Sequence, residues 1–420
     1  MKISNILLRD FVAKLKENKK QCTLLGVGPV SKVVITAAFL ACKKYDCPPI
    51  FVASRNQVDL KSLGHGYLMG AMDQYKFVEL INHLQKQVGY EGPLYICRDH
   101  GGPWQRNIEL DEKYPVKKAM TIAKESFKAD IEAGFNYIHI DPTKCPLPFK
   151  LDDICNWTVE LIKYCEQTRK SLSKGAIDYE VGTEDIQGGL TTKDTFESFL
   201  KKLTQTLQAE NLPQPTCVVA QTGTLLKIDR NVGRFDKEQT KQLAQTAAKY
   251  GLGLKEHNGD YLDAESCRLH PRLGVTAMNV APEFGLVETE ACLHLADIES
   301  KIVGRGRLKP QDASNLRELF INLTFTNSPW KKWLTEDLKK LPTSKIETDP
   351  EIRLLIARVC GHYVYDIPQV IEARKKLYNN INKFKLAENA ETFVVEKVRD
   401  SIEFYMEHFL LKAVNAVLKE

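Results

Sequence analysis

The run Leu94-Tyr95-Ile96-Cys97-Arg98-Asp99-His100-Gly101-Gly102-Pro103 decides the fold. Its apolar part, Leu94 to Cys97, reads as a buried strand. It ends in the pair Asp99-His100, and two glycines and a proline then break the backbone before Trp104. A strand that delivers an acid and an imidazole at its C-terminal end, followed by a glycine turn, is how α/β folds present chemistry. Asp99 has the chemistry to move a proton and His100 to hold a divalent metal. Taken alone, the pair reads more simply as a capping aspartate and an ordinary loop histidine. What gives it weight is that the pattern recurs.

Upstream, an amphipathic helix over residues 1–20 precedes a strand at Cys22–Val27, and Ser31 is placed to cap a helix over Val33–Cys42. A strand at Pro49–Ala53 and a helix at Met72–Gln87 lead into the central run. Downstream, strands at Tyr137–Asp141, Ala176–Val181, Thr216–Ala220, Leu252–Glu256 and Val275–Val280 alternate with helices at Lys118–Ala133, Leu151–Ser171, Thr195–Ala209, Lys237–Tyr250 and from Val287 onward. Eight strand-like runs alternating with helical ones imply parallel strands with right-handed crossovers. That count predicts an α/β fold, a (β/α)8 TIM barrel over residues 1–300, better than an open doubly wound sheet. No Gly-x-Gly-x-x-Gly and no P-loop supports a nucleotide-binding sheet or ATP-dependent phosphoryl transfer. After residue 300, lysines, prolines and aromatics increase, with Trp330 and Trp333 flanking two lysines. Residues 301–420 read as a mainly helical extension packing on the barrel or on a neighbouring subunit, without chemistry of its own.

The chain of 420 residues, 43% hydrophobic and 27% charged, is composed like a globular protein. Its net charge of +5 is small, and no basic block would track a phosphate backbone, so nucleic acid is not an expected partner. The eleven cysteines include no Cys-x-x-Cys pair. Their scatter, their odd number and an N-terminus without a signal-peptide pattern predict buried, reduced thiols in a cytoplasmic protein. No apolar run has the length of a membrane span.

In a barrel all eight strand ends face one mouth, so polar residues far apart in sequence converge. They are Asn56, Gln57, Asp99, His100, His139, Asp141, Glu180, Glu184, Gln221, His257, Asn279 and Glu283. Such a set can hold one divalent ion and leave an acid–base group free. His139 and Asp141 alternate with Ile138 and Ile140 and so share a face. They read equally well as a satisfied polar layer inside the barrel. Glu180 can be salt-bridged there, and His65 in Gly64-His65-Gly66 reads first as a mobile loop residue and second as a lid. A phosphate site is expected, if anywhere, at the loops after the last two strands, Asn258-Gly259 and Ala281–Gly285, with Arg55, Arg98 and Lys255 as sources of charge.

Arg98-Asp-His-Gly-Gly-Pro103 resembles the Gly-Asp-His-x-Gly-Pro segment of the non-catalytic (Z-type, GatZ/KbaZ-like) subunit family of class II D-tagatose-1,6-bisphosphate aldolases. Ser54-Arg-Asn-Gln-Val58, Ala133–Asp141, Val181-Gly-Thr-Glu184 with Gly188-Gly189, Glu256–Tyr261, Val280-Ala-Pro282 and Trp330-Lys-Lys-Trp333 are similar in the same order. The resemblance implies a TIM barrel acting on a ketose or ketose phosphate by metal-assisted aldol cleavage or enediolate chemistry. It implies Asp99 as acid–base residue and His100 and His257 as ligands of a divalent metal, zinc first; from the strand-end set, Glu184 is expected as a second catalytic residue and Glu180 as a further ligand. Asn56, Gln57, Asp141, Gln221, Asn258, Gly259 and Asn279 would bind substrate. Gln221 stands where catalytic aldolases carry a histidine ligand on the sixth strand. That departure favours an accessory role, stabilising a separate class II aldolase chain in an oligomer. A sugar-binding barrel without activity is the third alternative.

Overall fold

The computed structural model describes residues 6–182, 192–224, 226–227, 229–231, 235–385 and 389–419. Eight parallel strands close a barrel: β1 Leu24–Val27, β2 Ile50–Ser54, β3 Tyr95–Gly101, β4 Tyr137–Ile140, β5 Asp178–Gly182, β6 Cys217–Val219, β7 Gly253–Glu256 and β8 Val275–Val280. Each pairs with its neighbour in sequence, and β8 returns to β1, with Leu24 opposite Ala277 and Val27 opposite Val280. Successive side chains alternate between two surroundings. On β4, Ile138 and Ile140 join the apolar layer under the helices with Phe127 and Ile131, which leaves His139 for the barrel interior. The same alternation sends Arg98 outward to Asp130 on helix Val116–Ala133 while Asp99 faces the mouth.

Helix starts follow the local chemistry. Ser31 accepts from the Val34 amide at 3.1 Å and opens helix Lys32–Tyr45; Asp73 does the same for Gln74–Val88. Between β7 and β8 runs helix Ala264–Leu273, with Pro271 inside it. A two-residue antiparallel ribbon, Leu226–Lys227 with Arg230–Asn231, follows β6.

Helix Pro282–Gly304 runs across residue 300 without a break. Beyond it, helices Leu316–Asn327, Pro350–Cys360, Pro368–Lys383 and Ala390–His408 form further apolar layers. The last helix lays Val398, Ile402, Tyr405 and Met406 into the core that also holds Val34 and Phe39. The eleven cysteines are free, and all but Cys22 are buried. No helix among the described residues is long and apolar enough to cross a membrane.

Candidate active site at the barrel mouth

A cavity of about 570 Å³ opens at the C-terminal ends of the strands. Asp99, His100 and Asn279 form its floor, and Asn56 and Gln57 line it. His100 adopts φ +42, in the left-handed region that non-glycine residues adopt rarely. Asn279 Nδ2 donates to Asp99 Oδ1 at 3.0 Å. Gly26 makes room for this amide: a Cβ there would stand 2.2 Å from Asn279 Oδ1.

Beneath the floor lie His139, Glu180 and His257, all buried. His100 Nδ1 lies 3.0 Å from Asp141 Oδ2, an acceptor only, so Nδ1 carries the proton and Nε2 a lone pair. That Nε2 is 3.1 Å from His257 Nδ1. The other nitrogen of His257, Nε2, faces Glu180 Oε1 at 3.3 Å and Asp99 Oδ1 at 3.6 Å. Both nitrogens of His257 thus face acceptors, an arrangement satisfied either by an imidazolium with two N–H groups or by a bound cation. His139 joins these contacts. Its Nδ1 accepts the His100 backbone N–H at 3.3 Å and stands 3.4 Å from Glu180 Oε1.

Asp99, His139, Glu180 and His257 each place one donor atom within 4.8 Å of the others, and His100, His139 and Asp141 form a second such group. Ligand bonds of about 2.1 Å at tetrahedral angles put donors about 3.4 Å apart, the spacing of His257 Nε2 from Glu180 Oε1 and of His139 Nδ1 from the same oxygen. His139 Nε2 is buried without a hydrogen-bond partner among the described residues. It packs against Gly182, where a Cβ would meet it at 2.9 Å. The donor set therefore fits a divalent cation.

Electrostatics keep these groups in ligand form. Burial pushes the His139 imidazole down to about 4, against the pull of Glu180 and Asp141, so it is neutral at pH 7. Burial works to raise the Glu180 carboxyl, but the Lys255 ammonium, with Nζ 2.6 Å from Oε2, and the imidazoles of His139 and His257 hold it well below the ordinary range. Against the same opposing effect of burial, the hydrogen bond from His100 and the nearby imidazoles hold Asp141 ionised. Glu180 is thus ion-paired inside the barrel and still turns Oε1 toward two histidines.

The remaining sequence candidates separate clearly. Among the described residues that line the cavity, Asp141, Gln221, Asn258 and Gly259 do not appear. Asp141 orients His100 instead. Gln221 Oε1 accepts from the Gly223 amide within its own turn. Asn258, at φ +60, accepts from Asn231, and the Gly259 amide pairs with the Asn279 carbonyl. Glu184, and Gly188-Gly189 of the motif set, lie outside the described residues. The sequence pattern marks no site residue in the extension and puts His65 in a loop. Yet His65, Lys332, Trp333, His362 and Tyr363 all line the cavity. Only the tryptophan–lysine segment carried a signal, and it pointed to family rather than to a cavity wall.

The expected phosphate site is filled by the chain itself. Asp260 Oδ1 accepts from the amides of Ala281 and Glu283 at 2.9 and 2.8 Å, the donors an anion would use at the start of helix Pro282–Gly304. Glu283 turns away, accepting from the Tyr261 amide, Ser401 and Tyr405. Arg55 is spent on Asp59 and Glu109, Arg98 on Asp130, and Lys255 on Glu180. Burial, with the Glu283 charge beside it, pushes the Asp260 carboxyl up to about 7. The unfolded chain releases that proton near pH 4, so the folded chain binds more protons in between. Its contribution therefore lowers stability as pH rises from about 4 to about 7. Asp260→Asn keeps the acceptor oxygen, and it is expected to flatten this fall when urea midpoints at about pH 5 and about pH 8 are compared.

The model of the family described as D-tagatose-1,6-bisphosphate aldolase subunit GatZ/KbaZ-like matches residues 8–394. The D-tagatose-1,6-bisphosphate aldolase subunit GatZ of Klebsiella oxytoca is 24% identical over 409 residues, covering 90% of this chain and 89% of that protein. A probable tagatose 6 phosphate kinase from Sinorhizobium meliloti superposes with a TM-score of 0.72 at 18% identity, over 92% of this chain and all of that one. The fructuronate-tagaturonate epimerase UxaE from Cohnella laeviribosi reaches 0.56 at 12% identity, over 93% of this chain and 81% of that one. These two show the fold, and the family match over nearly the whole chain shows its kinship. The chain belongs to the GatZ/KbaZ-like family of D-tagatose-1,6-bisphosphate aldolase subunits, a family of carbohydrate metabolism.

Proposed function

We propose that this chain binds a ketose or ketose phosphate in the barrel-mouth cavity and moves a proton next to its carbonyl, in aldol cleavage or epimerisation. The observation that carries this reading is the convergence beneath Asp99 of donor atoms from Asp99, His139, Glu180 and His257, with the Asp99 carboxylate open to the cavity. A divalent ion, zinc by the chemistry of the donors, would be held by His257, Glu180 and His139, while His100, the ligand expected from sequence, belongs to the adjoining group with His139 and Asp141. Bound there it would polarise the carbonyl and offset enediolate charge by several kcal/mol.

The rest is the work of the chain's own side chains. Asp99 is the carboxylate of the group that reaches the open cavity, so it is the one to take and return the substrate proton. Asn279 holds its Oδ1 and leaves Oδ2 for the substrate. Asn56 and Gln57 face the sugar hydroxyls from the cavity wall, and Glu184 is the second acid proposed from sequence. Residues 1–300 supply the chemistry; residues 301–420 complete the cavity. The free, buried cysteines favour a cytoplasmic protein.

The test is proton exchange in D2O, followed by NMR, on ketoses and ketose phosphates with the zinc-loaded protein. Asp99→Asn is expected to slow exchange by about 10²–10⁴-fold while zinc content is kept. Wild type that neither exchanges, cleaves nor epimerises any of them would turn the assignment to the second reading, an accessory subunit for a separate aldolase chain. That reading has its own support. Lys255 already neutralises Glu180, and the relative from Klebsiella oxytoca is named as a subunit. Co-purification with a class II aldolase chain would then be the next measurement.

A further inference from the structure

Resting on the sugar-binding reading above, the geometry points to where the substrate carries its charge: we infer that a terminal anion, phosphate or carboxylate, is held at the cavity rim by Lys332 and Arg106, and not at the start of helix Pro282–Gly304. Two independent observations lead there. The first is exclusion. The helix start gives its amides to the buried Asp260, with the Glu283 carboxyl close by, so an anion there would displace one carboxyl and meet another. The second is provision. Lys332, on the short helical turn Trp330–Trp333, lines the cavity and makes no ion pair or hydrogen bond through its ammonium among the described residues. Its neighbour Lys331 lies over the Trp330 ring at 5.5 Å instead.

Arg106 lines the same cavity. Its Nη2 donates to the Gly64 and His65 carbonyls at 3.0 and 2.7 Å, which fixes the guanidinium. Nε and Nη1 are buried without hydrogen-bond partners among the described residues, but Nη1 is ion-paired with Asp59 Oδ2 at 3.6 Å, so Arg106 brings a charge it shares with a carboxylate and Lys332 brings the unpaired one. The floor, by contrast, carries the Asp99 carboxylate. A cavity with a carboxylate at the floor and cations at the rim orients a ligand that is anionic at one end, setting its uncharged carbonyl end over Asp99. The extension beyond residue 300 then acts as the element that selects charged over neutral ketoses.

The test is titration calorimetry with D-tagatose 6-phosphate, D-tagaturonate and D-tagatose. Wild type is expected to bind at least one of the charged ligands about tenfold or more tighter than D-tagatose, a preference that shrinks with added salt. Preference for both assigns the site to terminal anions in general; preference for the phosphate alone assigns it to phosphate esters. Lys332→Ala is expected to bring the ratio to within about threefold, Lys332→Arg to restore it, and Lys332→Glu to invert it. Lys332 is exposed, and unchanged thermal unfolding checks that the variants fold. D-tagatose binding without any charge preference overturns the inference and leaves the sugar-binding reading standing. So does a preference that survives Lys332→Ala, or one that rises in Asp260→Asn. Failure of all three sugars to bind wild type overturns both.

Discussion

His257→Ala is expected to purify with less than about a tenth of the zinc of the wild type after equal reconstitution, because removing a ligand exceeds the 10–100-fold affinity loss typical of disturbing its supports. The size of the effect follows from where this imidazole sits. It touches His100, Glu180 and Asp99 at once, and both of its nitrogens face acceptors. Alanine removes the group around which the other donors are arranged. The fold should survive, since Glu180 keeps Lys255 as its counter-ion and the change lies at a strand end rather than in the apolar layers. Gln221→Ala is the contrasting variant: its side chain is turned onto its own loop, and zinc is expected to stay at the wild-type level. Elemental analysis with circular dichroism reads both. A metal-free wild type after reconstitution, or His257→Ala retaining full occupancy, would remove the cation from the proposed chemistry.

The contrast between His139 and Gln221 shows how much of the site could be read from sequence. A glutamine in place of the sixth-strand histidine argues against three imidazoles at one centre. β4 does bring His139 beside His100 and His257, but the three supply donors to two groups, His257 with Asp99 and Glu180 and His100 with Asp141, which only His139 shares. Alternation with Ile138 and Ile140 placed His139 inside the barrel. Whether it was a polar layer or a donor depended on Glu180 and His257, set by pairings across β5, β6 and β7 that no local pattern encodes. The strands were legible for the opposite reason: each is a short apolar run closed by polar turn residues, a signal contained within a few residues. Helix Ala264–Leu273 escaped because Pro271 interrupts the expected pattern. The rim residues Lys332, Trp333, His362 and Tyr363 were invisible as site residues because they reach the barrel mouth from more than 200 residues beyond Asp99, on short turns without periodicity.

Arg98→Ala should be the most destabilising single change in the central motif, by about 3–5 kcal/mol in urea unfolding. Arg98 adjoins Asp99 in sequence, but it faces away from the cavity. Its side chain is fully buried: Nε and Nη2 bind Asp130 at 2.9 and 2.5 Å, Nη1 caps the Ala53 and Val58 carbonyls at 2.9 Å each, and the guanidinium lies 5.1 Å from the Phe135 ring centre. Truncation strands a buried carboxylate and two buried carbonyls together. Even with Arg98 present, burial holds the Asp130 carboxyl above its ordinary range. Without the guanidinium that rise grows, so the folded chain keeps a proton that the unfolded chain has released. The loss should therefore be smaller at about pH 5 than at about pH 8. Arg98→Lys keeps the charge but not the fork, and should recover only part of the loss. The double change Arg98→Met with Asp130→Leu removes both charges and should recover more of it than Arg98→Ala retains. A loss below about 1 kcal/mol for Arg98→Ala would mean the pair is no keystone of the strand. The expected outcome divides the motif by face. Arg98 clamps β3 to β2 and to its helix from outside, and that clamp is what fixes Asp99 and His100 at the mouth.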